Sequence, residues 1–400
     1  MNFEAVASSL REGAMIDAAA VDLDASANTA PTPAVIAAVV AAMSHRHGNP
    51  SSGHGRGNAS RDVLTAARDS LSALVNGAFD DGVVFTSGCT EANNLVLSSF
   101  AGGRARIVTS AVEHPSVLTT AKALAQVGSD VTILPVDRGG RIDLESLNVA
   151  VRSANGPCLV SLQLANSETG VLQDAAAIAA IVGECQHCYF HADAAQAMGK
   201  IEINLGRGVG PDVVTMSGHK IHGPMGIGAI IVADDSAIPL RALLKGGEQE
   251  RGIRAGTEAV PAIAGLSAAV DEWALHRIDR RRHLEALHRH IEQGLCRIEG
   301  AIINGSASSR LPNVTNVTFA NCDAMALVAN LDAQGIRVSQ GSACSTGRPE
   351  PSHVLVAMGL SEADAFSTIR ISLSVNNQLS EINHAIAVIS GTVDRMRGRP

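Results

Sequence analysis

The 400-residue chain is too long for one ordinary core, and 46% hydrophobic against 18% charged residues excludes disorder for most of it. A formal net charge of −8 and only 2% aromatics exclude a nucleic-acid partner held by general electrostatics or by base stacking. Seven cysteines, odd in number and scattered, do not make a disulfide framework and fit a reducing, cytoplasmic setting.

Residues 1–20 read as a weakly patterned extension without a basic-then-apolar export signal, and no apolar run is long enough to cross a bilayer. A short strand ending in Asp24 precedes an Ala-rich helix from Pro33 to about Met43, with Pro in its first turn and Gly48 past its end. Gly48 to Gly55 is a loop by composition. The chain then alternates. Strands are expected at Val83–Phe85, Arg106–Thr109, Val131–Pro135, Cys158–Leu164, Cys188–His191, Val213–Thr215 and Ile227–Val232, with helices from Thr90, Ser116 and Asp174. Short apolar runs separated by helices predict an α/β fold, a mainly parallel seven-stranded sheet covered on both faces. From about residue 265 the texture changes. A long Arg- and His-rich helix to about 298, strands near Asn313–Phe319 and Arg337–Val338, and a closing helix from about Ser380 predict a smaller α+β domain. The expected division is therefore 1–20, an extension; 21–264, the large domain; and 265–400, the small domain.

Four motifs carry chemistry. Lys220 follows a strand within Ser217-Gly218-His219-Lys220, where Gly and Pro residues fix a tight backbone. Such a lysine forms Schiff bases when its neighbours lower its pKa, and a protonated His219 is one candidate neighbour. Asp193 ends the strand that begins near Cys188 and faces the ligand crevice at the carboxyl end of the sheet. A carboxylate there can pair with a pyridinium nitrogen. Thr86-Ser87-Gly88-Cys89-Thr90-Glu91 joins a strand to a helix, so its backbone N–H groups suit a phosphate. Gln340-Gly341-Ser342-Ala343-Cys344-Ser345-Thr346-Gly347 places a cysteine among small residues on an accessible loop.

In this order the four motifs resemble the NifS/IscS-type cysteine desulfurases, pyridoxal-phosphate enzymes of the class V aminotransferase superfamily with the fold-type I architecture. Gly48-Asn49-Pro50-Ser51-Ser52-Gly53-His54, Glu113-His114-Pro115, Arg254-Ala255-Gly256-Thr257-Glu258 and Glu350-Pro351-Ser352-His353 extend the likeness from about Val21 to the C-terminus. The resemblance implies that Lys220 holds the cofactor as a Schiff base and that His114 stacks on its ring and handles protons. Asp193 would meet the ring nitrogen and Gln196 the phenolic oxygen. Cys89, Thr90, Ser217 and His219 would receive the phosphate, and Ser167 would lie near the cofactor. Thr257 would reach the phosphate of a neighbouring subunit, so a homodimer is implied. Arg370, with Asn166, would bind the carboxylate of L-cysteine. Cys344 would take the sulfur, leaving L-alanine, and pass it to an iron–sulfur scaffold or another acceptor protein. A transient iron–sulfur contact at Cys344 is the sole metal contact implied.

Three stretches depart from the family pattern. Leu23-Asp24-Ala25-Ser26-Ala27 lacks two asparagines, Ser167 replaces another, and Leu373-Ser374-Val375 lacks the usual arginine. The alternatives are a selenocysteine lyase or an aminotransferase of the same superfamily, or a non-catalytic relative acting as a sulfur-relay partner. Cys185-Gln186-His187-Cys188 is a single C-x-x-C without a second pair at zinc-ligand spacing.

Overall fold

The computed structural model of the chain describes residues 20–341 and 350–398. The described chain opens with β1 (Val21–Asp22) and two helices, Pro33–His45 and Gly55–Leu74. Then come β2 (Val83–Thr86), β3 (Arg106–Ser110), β4 (Asp130–Leu134), β5 (Cys158–Gln163), β6 (Cys188–Asp193), β7 (Val213–Ser217) and β8 (Gly228–Val232). These seven strands form one sheet in the order β2-β8-β7-β6-β5-β3-β4. All of them run parallel except β8, which opposes both of its neighbours.

Successive strand residues are apolar because the two faces of the sheet meet different cores. Val83 and Phe85, Val108, Val160 and Leu162, and Val214 and Met216 enter one core. Their neighbours Val84, Ile107, Leu159 and Val213 enter the other, beneath helices Cys89–Ser99 and Pro115–Gln126. A strand buried on both sides loses the apolar-polar alternation and reads as a continuous run.

The remaining strands are β9 (Ala301–Ile303), β10 (Val314–Phe319), β11 (Ile336–Arg337) and β12 (Thr368–Ser372). An antiparallel sheet has the order β12-β10-β9, and β1 pairs in parallel with β11. The start of the described chain is therefore built into the C-terminal third. Helix Val260–Leu295 spans the change of texture near residue 265. Its first half buries Ile263, Leu266, Val270 and Trp273 against the N-terminal helices, and its second half buries Leu284, Leu287, Ile291 and Leu295. No helix among the described residues is long and apolar enough to cross a membrane.

Every parallel strand but β4 ends beside one crevice, and Gly228 at the start of β8 sets how closely two of those ends approach. A Cβ on Gly228 would lie 2.4 Å from the Met216 carbonyl oxygen and 2.7 Å from the Gly88 Cα. Gly228→Ala is expected to lower the unfolding free energy by about 1–3 kcal/mol, as overpacking of a tight core does. Denaturant titration of the purified variant measures it.

Candidate active site

A cavity of about 300 Å³ opens at the carboxyl ends of the parallel strands. Ligand crevices of open α/β sheets lie there because the loops leaving the strands diverge. Its floor is Asp193, the last residue of β6, which is buried. The Asp193 carboxylate accepts three hydrogen bonds. Oδ1 receives the Ala195 N–H at 2.9 Å and the Cys89 thiol at 3.4 Å, and Oδ2 receives the Asn93 amide at 2.8 Å. Burial, followed by the Asp193 charge, drives the Cys89 thiol well above its ordinary range, so Cys89 is a neutral donor.

Asn93 is the hub of a longer chain. Its amide nitrogen also donates to Ser116 Oγ at 2.8 Å, and its oxygen accepts the Thr215 hydroxyl at 2.5 Å. His191 meets Thr215 at 3.1 Å through Nε2 and Ser161 at 2.9 Å through Nδ1. Burial holds His191 down at about 4 against the pull of Asp193, so it is neutral. Each member is satisfied, which a polar network in a low-dielectric interior requires.

The chain ends at His114. Pro115 opens helix Pro115–Gln126 and His114 is its N-cap, with Nδ1 accepting the Ser116 N–H at 3.1 Å. The Ser116 hydroxyl lies 2.7 Å from the same nitrogen. Two donors on Nδ1 fix the neutral tautomer that carries its proton on Nε2. Burial lowers the His114 pKa against the pull of Asp193, and the Lys220 and His353 charges add to the lowering. Glu-His-Pro is therefore a cap that aims an uncharged imidazole into the cavity.

Lys220 closes the short 3-10 turn Gly218–Lys220 that follows β7. A Cβ on Gly223 would lie 2.8 Å from the Gly218 carbonyl oxygen, so this turn tolerates no larger residue there. Lys220 Nζ donates to the carbonyls of Ser26 at 2.6 Å and Ala27 at 2.7 Å. Burial and then the Arg370 charge lower its pKa to about 8, against the pull of Asp24, Asp193 and Cys89. His219 plays no part in that lowering as a cation. Burial and Lys220 hold His219 itself at about 4.

Cys89 and Thr90 begin helix Cys89–Ser99, and the Cys89 N–H donates to Ser217 Oγ at 3.2 Å. Thr90, Ser217 and His219 line the cavity beside this N-terminus. The turn is braced by Glu91, which accepts the Ser87 N–H at 2.7 Å and pairs with Arg254 at 2.9 Å. Arg370, on β12, reaches the same cavity and pairs with Asp24 at 2.7 Å. Ser167 lines the cavity and its carbonyl accepts from Arg370 at 3.2 Å.

Two expected residues lie elsewhere. Asn166 is not part of the cavity wall. Its side chain donates to the Val112 carbonyl at 3.0 Å and accepts the N–H groups of Glu168 and Thr169 at 2.9 Å, so it braces the turn after β5. Thr257 is exposed and does not line this cavity. Cys344 lies outside the described residues. Cys188 sits at the opposite end of β6 from Asp193, paired with Cys158 of β5, so the C-x-x-C is remote from the cavity. Sequence reasoning missed Asn93, Ser116, Thr215 and His191. The available signal was polar residues inside wholly buried elements: His191 and Thr215 in their strands, and Asn93 one helical turn after Cys89.

The donor set fits pyridoxal phosphate. A helix N-terminus with Thr90, Ser217 and His219 suits a dianionic phosphate. Gly88, at φ 153°, leaves open the space beside Ser217 that a Cβ would fill, 3.4 Å from its hydroxyl. Asp193 offers a fixed carboxylate to a ring nitrogen. Gln196 lines the cavity with its Oε1 buried and without a partner among the described residues, while Nε2 donates to the Ser26 carbonyl at 2.9 Å.

Residues 21–384 match the aminotransferase class-V family, and the chain belongs to it. Within that family it stands among the cysteine desulfurases. It is 39% identical to the cysteine desulfurase of Bradyrhizobium diazoefficiens, with 94% of this chain and 95% of the relative covered. It is 37% identical to cysteine desulfurase IscS 1 of Archaeoglobus fulgidus, over 91% of this chain and 94% of that one. Among solved structures, a NifS-like protein superposes with a TM-score of 0.85 at 32% identity, covering 93% of this chain and 98% of its own. SspA in complex with cysteine superposes with a TM-score of 0.77 at 32% identity, covering 88% and 98%.

The lowered Lys220 pKa has a direct readout. A lysine attacks an aldehyde only as the neutral amine. The folded pKa of about 8 replaces an ordinary 10.5, so the reactive fraction rises as pH climbs through about 8 and levels above it. The rate at which cofactor-free protein develops visible absorbance with pyridoxal phosphate should follow that curve across a pH series.

Proposed function

We propose that the chain uses pyridoxal phosphate to convert L-cysteine and an enzyme thiol into L-alanine and an enzyme persulfide. The observation that carries this reading is the convergence of Lys220, Asp193, His114 and Arg370 on one cavity from four separate elements of the chain. Bound there, the cofactor supplies an electron sink that weakens the Cα–H bond of an amino acid. The protein's share is binding, orientation and proton handling. Arg370 takes the substrate carboxylate through its guanidinium edge. Asp193, fixed by three donors, would face the ring nitrogen and accept its hydrogen. Lys220 Nζ, with a pKa of about 8, is able both to accept and to release a proton near neutrality. His114, neutral with its proton on Nε2, offers a donor on the substrate side.

Cys344 is the sulfur acceptor in this reading, on the sequence resemblance of its loop. Its thiolate attacks the substrate sulfur, the carbon–sulfur bond breaks, and the added sulfur remains as a persulfide. Transfer to an acceptor protein follows, and an iron–sulfur scaffold is the acceptor that the NifS/IscS likeness implies. Cys344→Ser should still bind cofactor and L-cysteine but form no persulfide, since an alcohol is a poor nucleophile towards sulfur. Mass spectrometry of peptides after L-cysteine treatment locates the added sulfur. Its stable appearance on Cys185 or Cys188, with Cys344 unmodified, would overturn the assignment.

The acting unit in this reading is a homodimer. Helix Pro33–His45 exposes Ile36, Val40 and Met43 on one face, and Met225 is exposed as well. An apolar stripe of this kind is usually covered in an oligomer. Thr257, exposed and outside its own cavity, is then free to reach the phosphate of a second copy. Sedimentation should give twice the 41.2 kDa chain mass, and Val40→Lys should shift it towards one chain.

A further inference from the structure

Arg370 is the most constrained cation in the cavity. Its side chain is 6% exposed, whereas that of its partner Asp24 is 29% exposed. Nη2 donates to Asp24 Oδ1 at 2.7 Å and Nη1 to the Ser167 carbonyl at 3.2 Å. Nε is buried and has no partner among the described residues. A guanidinium meets a carboxylate best through two parallel bonds from one edge, and the Nε–Nη2 edge here is half filled.

Asp24 is held in place by the strand that carries Arg370. It bridges to Ser372 of β12, and the neighbouring Ala25 N–H donates to the Ser372 carbonyl at 3.1 Å. The same segment supplies the Ser26 and Ala27 carbonyls to Lys220. Asp24 is thus fixed against Arg370 by the same segment that holds the Lys220 amine. The two partners differ in their access to water. A carboxylate nearly a third exposed can be rehydrated when it lets go, and a buried guanidinium cannot.

We propose that Asp24 is a placeholder carboxylate, a positioning residue that orients Arg370 in the empty site and surrenders Nη2 to the α-carboxylate of the substrate. The substrate then takes the whole Nε–Nη2 edge. The proposal rests on Arg370 being the carboxylate site. It explains how a buried arginine remains aimed when no substrate is present, and why one nitrogen of its fork is left open. It also makes substrate affinity lower than the arginine alone would give, because the arriving carboxylate meets a like charge.

A second consequence concerns Lys220. The charged or titratable groups around its amine are Arg370, Asp24, Asp193 and Cys89, with His219, His114 and Lys200 also within electrostatic reach. Asp24 opposes the Arg370 charge, so its removal should lower the Lys220 pKa further.

The test compares wild type, Asp24→Asn and Asp24→Glu as full chains. Asparagine keeps an oxygen for Nη2 and removes the charge. KM for L-cysteine is expected to fall roughly threefold to tenfold in Asp24→Asn, the scale of one like-charge contact near a surface, with the effect on KM exceeding that on kcat. The pH midpoint for uptake of pyridoxal phosphate by the cofactor-free protein should move below its wild-type value. Asp24→Glu should return both towards wild type. If Asp24→Asn does not fold, Asp24→Ala is read in the same way. An unchanged or raised KM overturns the proposal, and so does an unmoved midpoint. A chain that is not a desulfurase would turn over no cysteine in any variant, wild type included, and the midpoint would still decide.

Discussion

The site is organised around one buried carboxylate. Asp193 lies beneath the cavity with every contact made to it a donor: a backbone N–H, a thiol and an amide. An acceptor of that kind sets the direction of the bonds beyond it. Because Asn93 must point its nitrogen at Asp193, its oxygen is left for Thr215, and Thr215 must then accept from His191. The second hydrogen of Asn93 goes to Ser116, whose hydroxyl is turned towards His114. The protonation states of Cys89, His191 and His114 are thus a single pattern. Burial favours the neutral form of each, and the geometry tells each neutral group where to place its hydrogen.

The same dry environment reaches the groups that act. Lys220 and His219 are both lowered chiefly by burial, but with different results. A lysine starting at 10.5 is brought to about 8, where it can exchange a proton. A histidine starting at 6.5 is brought to about 4, where it is an uncharged hydrogen-bonding group beside the turn into helix Cys89–Ser99. Burial also lifts Glu113, in the cavity wall, to about 8, with the Asp193 charge adding to it and the Ser110 hydroxyl opposing it. Near neutrality the charged groups that remain on the cavity wall are the Asp193 carboxylate, Lys220, still largely protonated, and Arg370, which Asp24 pairs.

The sheet was legible because its strands are short and apolar on both faces, and the turn residues between them mark its edges. Helix Gly55–Leu74 was not. Its buried seam is Gly57, Ser60, Leu64, Ala67, Leu71 and Leu74, at perfect helical spacing, but the first two members are not apolar. Gly57 is there because a Cβ would lie 2.2 Å from the Ser52 carbonyl oxygen. Lys220, Asp193 and His114 could be named because each stands at the end of a strand or in a turn with its own signature, and Arg370, in the middle of β12, was named through the family resemblance. Asn93 and Thr215 could not, because their importance lies in partners 100 or more residues distant: Asn93 to Asp193 at 100, Thr215 to Asn93 at 122. The Asp24–Arg370 pair spans 346 residues and has no local trace at all.

That span has a consequence for the order of assembly. The central sheet needs residues no later than Val232. The segment 23–27, which supplies carbonyls to Lys220 and Gln196, is stitched instead to β11 and β12. As the chain leaves the ribosome, the sheet can form while this early segment still waits for its partners, and contacts of such long range are slow to close. The strand ends that carry Asp193, Cys89 and Ser217 can therefore be in place before Lys220 has its final surroundings. Until β12 joins, Lys220 is not yet flanked by Arg370, so the last strand to emerge is also the one that sets the charge beside a lysine made much earlier.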